Sequence, residues 1–163
     1  MTVGFSHHVD LTATPDVVFG VLTDPDLLAA RYAASGSEDV RVLERRVEGE
    51  RVTVVYRRLE AGSLPAPIAR LVRGAAQVTQ TDRWDAPDAD GGRTARWSVV
   101  TKGVAVDIGG TVVLAARDGG TRLTESGTVT ARMPLVGALI ERLAVEQSGQ
   151  KLRREWEWLS ARL

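Results

Sequence analysis

"LAVEQSGQKLRREWEW", Leu143–Trp158, decides how this chain is read. Its spacing is helical, but its apolar stripe changes size along its length. Leu135, Val136, Leu139, Ile140 and Leu143 are large upstream, and Leu152, Trp156, Leu159 and Leu163 are large downstream. Between them the stripe shrinks. Val136, Ile140, Ala144, Ser148, Leu152 and Trp156 step by four and form one slowly drifting line on a helix. A helix laid flat on a sheet needs bulk throughout, whereas a helix spanning a hollow touches at both ends and leaves room at its centre. Gly149 costs roughly 0.8–1 kcal/mol relative to Ala inside a helix, so it asks for a reason. Three readings stay open: the roof of a cavity, close approach of a bulky strand residue such as Trp84 or Trp97, or a kink.

Upstream of this helix the chain reads as strands. Val3–Leu11 alternates, with Phe5, His7, Val9 and Leu11 on one face. Two short helices follow. Thr14 and Asp24 stand at the N-cap positions, Pro15 and Pro25 at the first helical positions, and Gly36 just beyond the second helix. "DVRVLERRVEGERVTVVYRRLE" then contains two strand runs joined near Glu48-Gly49. "GSLPAPIARLVRG" interrupts as a short helix or flap carrying Leu64, Ile68, Leu71 and Val72. Four more runs, "AAQVTQTDRW", "RTARWSVVTKG", "VAVDIGGTVVLAARD" and "TRLTESGTVTARM", are separated by turn-forming breaks. Pro134 is expected to open the terminal helix, which runs to about Leu163. The expectation is an α+β fold in which seven antiparallel strands curl around that helix.

Composition bounds the function. The 163 residues suit one domain, 1–163, large enough for a core and a pocket. Lys and Arg number 21 and Asp and Glu 21, so bulk charge offers nothing to nucleic acid or an anionic membrane. Cysteine is absent, which removes disulfides, thiol nucleophiles and zinc–thiolate sites. No stretch matches a signal peptide or a membrane span, and a cytoplasmic location is expected. No phosphate loop, nucleophile elbow or metal spacing appears. His7-His8 is no metal pair, because adjacent strand residues point to opposite faces. Neither a cofactor nor a metal is expected.

With the apolar strand faces turned toward the helix, the inward set includes Phe5, Val9, Val54, Tyr56, Val78, Trp84, Trp97, Val99, Val106, Ile108, Leu114, Val129 and Met133. His7, Gln80, Thr101 and Glu125 fall on the same faces. Apolar walls with a few placed polar groups make a small-molecule pocket. Tyr32, Ile68, Leu71 and Val72 are expected at its entrance, and Ala144, Ser148, Gly149 and Leu152 over it. His7 suits acid–base work, although a lone histidine on a strand face is ordinarily structural. Glu125, if inward, needs a partner or a raised pKa; otherwise it is a rim residue paired with an Arg. Arg70 and Arg73 are solvated, or draw a ligand carboxylate toward the flap.

Four segments carry a resemblance: "VDLTATPDVVFGVLTDPDLLAARY" (Val9–Tyr32), "VTQTDRW" (Val78–Trp84), "DADGGRT" (Asp88–Thr94) and "MPLVGALIERLAVEQ" (Met133–Gln147). Together they resemble the actinobacterial domain-of-unknown-function 2505 family within the START/polyketide-cyclase-like superfamily, which has the helix-grip fold. The resemblance covers essentially the whole chain. It implies a seven-stranded sheet gripping the C-terminal helix over a hydrophobic cavity, and it implies no particular reaction. Glu125 departs from the apolar residue expected at its position. Three functions follow: a carrier or sensor of a hydrophobic small molecule or lipid, a cyclase- or aromatase-like enzyme using His7 or Glu125, or an interaction module with a filled core. A monomer or homodimer suits each.

Overall fold

A computed structural model describes residues 1–60, Arg70 and 76–163. The order is β1 (Thr2–Leu11), α1 (Pro15–Thr23), α2 (Pro25–Ala34), β2 (Ser37–Glu48), β3 (Arg51–Glu60), β4 (Ala76–Trp84), β5 (Arg93–Thr101), β6 (Val106–Arg117), β7 (Gly120–Ala131) and α3 (Gly137–Ser160). Among the described residues the strands form one antiparallel sheet, ordered β1-β7-β6-β5-β4-β3-β2. Every neighbour except β1–β7 is consecutive in sequence. Pairing the first strand with the last leaves β1 and β2 as edges. β2 carries register shifts between Glu38 and Arg41 and between Val42 and Glu44. Those shifts and its many exposed charges discourage pairing with another chain.

Local chemistry explains most boundaries. Asp24 caps α2 through its side chain, accepting from the Asp26 N–H at 2.8 Å. Thr14 makes no side-chain cap, so at α1 only its backbone carbonyl is engaged, by Val18 N–H. The terminal helix starts later than Pro134. Leu135 has φ of 70°, a left-handed conformation that no helix interior accepts, and α3 begins at Gly137. Gly137 is required there, because a Cβ would stand 2.8 Å from the Ala131 carbonyl oxygen.

The core divides in two along α3. At one end Leu11, Val18, Leu22, Leu28, Val52, Val54, Trp84, Leu114, Leu123 and Leu159 pack solidly beneath α1 and α2. At the other end Val106, Val129 and Ile140 gather Met133, Val136, Leu143 and Ala144 around them. Val78, Trp97 and Val99 form a separate group between, with Phe5 and Ile108 against it. The helix is therefore anchored at both ends, and the middle of the sheet faces a gap. Trp156 and Trp158 both pack against the larger cluster, and Arg162 covers the Trp158 ring at 3.9 Å.

Candidate functional site

The gap is a cavity of about 240 Å³ between the sheet and α3. Its floor is aromatic and aliphatic because strand register stacks such residues in rows. One row runs Gln80–Val99–Ile108–Val129, and the next runs Asp82–Trp97–Gly110–Gly127–Phe5. Of the two glycines in the second row, Gly127 makes room for the rings, whereas Gly110 lies against the backbone of β7. A Cβ on Gly127 would meet Phe5 Cζ and Trp97 Cζ2, each at 2.8 Å. The Phe5 and Trp97 rings lie 6.2 Å apart, tilted by 32°.

The roof is the small stretch of α3. Ile140, Ala144, Ser148 and Leu152 line the cavity, and the Ser148 hydroxyl donates to the Ala144 carbonyl at 2.7 Å. That bond satisfies the hydroxyl within its own helix, so Ser148 presents little polarity below. Tyr32, Gln80, Trp97, Val99, Thr101 and Glu125 also line it. Tyr32 is a buried wall residue and not a rim one, because its hydroxyl is hydrogen-bonded to that of Tyr56.

Six of the anticipated residues stand elsewhere. Gly149 faces away from the cavity: a Cβ there would lie 3.3 Å from His7 Nε2. Its near neighbour is His7 and not a tryptophan, and the histidine is an exposed side chain that does not demand a glycine. His7 is exposed and stacks on Phe5 at 6.0 Å between ring centroids. It belongs to an outer groove shared with Gly149, Arg153 and Trp156. Tyr56 is fully buried behind Tyr32, and Leu114 is solid core. Met133 packs in the small cluster at the far end. Trp84 borders a separate chamber of about 20 Å³, room for one water. Ile68 and Leu71, with Leu64, Val72 and Arg73, lie outside the described residues, and Arg70 is exposed.

The charged side chains of the site were not anticipated. Arg58 and Glu60 on β3, and Lys151 and Glu155 on α3, line the cavity. Glu60 pairs with both Arg58 and Lys151. Burial works against its charge, but the two cations hold its carboxyl below the ordinary carboxylate range. Arg58 Nη1 donates to Gln80 Oε1 at 2.9 Å, and Gln80 Nε2 donates to Asp82 Oδ1 at 2.8 Å. Tyr56 donates to the other Asp82 oxygen at 3.1 Å, and Tyr32 hydrogen-bonds Tyr56. The Arg58 guanidinium also lies 4.4 Å from the Tyr32 ring centroid. Arg31 on α2 donates to Glu155 at 3.2 Å, and both are part-buried. Burial raises the Asp82 pKa despite its hydrogen bonds. The signal for Arg58 and Asp82 was present: each continues the inward alternation, after Tyr56 and Gln80 respectively.

Glu125 stands apart from this network. It lines both the cavity and the chamber, together with Gln80, Trp97 and Glu155. Among the described residues no side-chain hydrogen bond supports its carboxylate. Burial, reinforced by the negative charge of Glu155, pushes its pKa up to about 8. At neutral pH it is a carboxylic acid, able to donate a hydrogen bond. It is not the Arg-paired rim residue that its charge suggested.

Comparison with known proteins agrees with this architecture. The chain belongs to the family described as Protein of unknown function (DUF2505), whose model matches residues 6–163. It is 28% identical over 155 residues to the Uncharacterized protein Rv0481c of Mycobacterium tuberculosis (strain ATCC 25618 / H37Rv), covering 90% of this chain and 88% of that protein. The crystal structure of the Zhui aromatase/cyclase from Streptomyces sp. R1128 superposes with a TM-score of 0.67 at 18% identity, covering 99% of this chain and 96% of that one. A STAR-related lipid transfer protein from Xanthomonas axonopodis superposes with a TM-score of 0.67 at 17% identity, covering 96% and 85%. At such identities the shared property is the helix-grip fold. Among the described residues no helix is long and apolar enough to cross a membrane.

Proposed function

For this member of the DUF2505 family we propose that the cavity binds a hydrophobic small molecule or lipid, and that the protein is a cytoplasmic carrier or sensor of it. The single observation that supports this most is the 240 Å³ space held open by Ala144 and Ser148 over an apolar floor. Empty, that floor gains nothing from its rings and methyls. Filled, each Å² removed from water contributes about 25 cal/mol before ordering costs. The neighbours named for lipid transfer and for aromatase/cyclase activity use the same fold, which supports an enclosed apolar ligand. A filled-core interaction module would show no void larger than a water, so the cavity favours the binding reading over it.

Native mass spectrometry of the protein, gently purified, tests this reading. A co-purifying apolar molecule is expected, and returning it to stripped protein should raise the melting temperature. Protein that carries nothing, and that no apolar compound stabilises, would contradict it.

A second reading, an enzyme of the cyclase or aromatase type, is favoured by one residue. Glu125 is an acid with a pKa of about 8 on the cavity wall, the condition for a general acid near neutrality. His7 lines the outer groove and not the cavity, which favours Glu125 over it as the acid. Incubation with a linear polyketone tests it: cyclised products from the wild type and none from Glu125→Gln are expected. Equal product from both would remove Glu125 as the acid.

A further inference from the structure

We propose that the ligand of this cavity is uncharged and carries a hydrogen-bond-accepting oxygen, such as a ketone or ester carbonyl, seated on the Glu125 carboxyl group; ligands bearing a carboxylate are rejected. This deepens the binding reading above and rests on it.

The argument begins with which charges around the cavity are already committed. Arg58 is bonded to Glu60 and Gln80, Lys151 to Glu60, and Arg31 to Glu155. Asp82 is held by Gln80 and Tyr56. Three cations therefore share two carboxylates, Arg58 and Lys151 on Glu60 and Arg31 on Glu155, so among the described residues each cation has an anionic partner within the site. An entering carboxylate would have to break one of these pairs and strand its partner in a poorly solvated place.

One polar group of the wall is left over: among the described residues no side chain bonds the Glu125 carboxyl. The Trp97 ring borders the same space and overlies Gly127, two residues from Glu125 along the same face of β7, but its indole N–H is buried out of the cavity's reach. Glu125 is a donor whenever it is protonated. The charged groups facing it are Glu155 from α3, Arg31 from α2, Asp82 from β4 and Arg58 from β3, and His7, its register partner on β1, stands beside it on the same face of the sheet. With Arg31 and Arg58 already paired to carboxylates, the field there favours the protonated form. The unmet demand of this wall is for an acceptor without charge. The remaining surface, from Val78, Val99, Ile108 and Ile140, asks only for an apolar body.

Three compounds of nearly equal shape separate these demands: acetylnaphthalene, ethylnaphthalene and naphthoate. Binding is read by calorimetry and by the shift in melting temperature. At about pH 6 the ketone should bind about tenfold more tightly than the hydrocarbon, the worth of one hydrogen bond, and naphthoate more weakly than either. Raising the pH to about 9.5, where Glu125 is ionised, should abolish the ketone's advantage. Glu125→Leu should bind ketone and hydrocarbon equally. Glu125→Gln, which keeps a donor, should retain the preference and lose its pH dependence. Naphthoate binding as tightly as the ketone, or a preference that survives in Glu125→Leu, overturns the inference. If hydrocarbon and ketone bind alike to the wild type, the cavity still binds apolar molecules and only the acceptor claim fails. If none of the three binds, the binding reading falls and the inference falls with it.

Discussion

His7 and Glu125 are register partners on β1 and β7, with side chains on the same face of the sheet, yet they serve different spaces. Glu125 enters the cavity, whereas His7 lies in the outer groove against Gly149. The helix stands between them. Ser148 looks down into the cavity, and the next residue, about 100° around the helix, looks out toward the histidine.

Gly149→Ala should be tolerated and should stabilise the protein by up to about 0.8–1 kcal/mol, the helix-propensity difference. The new Cβ would approach His7 Nε2 at 3.3 Å, and an exposed side chain can give way by that little. Urea unfolding measures the change. Ligand affinity should not move.

Gly127→Ala should do the opposite. Its Cβ would wedge between the Phe5 and Trp97 rings, which are held by the sheet on both sides. A loss of about 1–3 kcal/mol is expected from overpacking, together with a changed near-ultraviolet circular dichroism signal from Trp97.

Glu60→Gln should destabilise the fold by about 1–3 kcal/mol, because it leaves Arg58 without its main anionic partner. Arg58 also bonds Gln80, so the loss should spread along the Gln80–Asp82–Tyr56 chain. A thermal melt of the variant beside Glu60→Gln/Arg58→Met, where the stranded charge is gone, checks this: the double variant should recover part of the loss.

Stability should fall as pH rises from about 5 to 8 through Glu125. Its folded pKa, about 8, is above the ordinary value of 4.5. Between these the folded protein holds a proton that the unfolded chain has released. Stability from this group is thus full below the unfolded value and is lost as pH climbs to the folded one. The slope is at most about 1.4 kcal/mol per pH unit. Glu60 acts in the other direction, with stability present above its unfolded pKa and lost in acid. Urea unfolding across this range should show Glu125→Gln gaining on the wild type as pH rises.

The fold was legible because its signals are local and mutually consistent. Strand alternation, Pro15 and Pro25, and the Glu48-Gly49 turn each dictate backbone geometry without distant help. The cavity was legible as one of three readings of the Ala144–Ser148 interval, and the lining of the hollow by both residues singles it out. The ionic half was hidden because Arg58, Glu60, Lys151 and Glu155 read as surface residues until their partners are placed. Their pairing joins β3 to α3 across 91 residues, a separation no spacing rule spans. His7 was misread for a related reason. On an inner strand its face would look into the hollow, but β1 is an edge, where α3 has already closed the space.

A crystal soaked with bromonaphthalene tests the central claim most directly. One bromine anomalous peak is expected inside the hollow, beneath Ser148 and beside Trp97 and Val99. Bromine found only in the outer groove by His7 and Trp156, or nowhere in the protein at saturating probe, would contradict it.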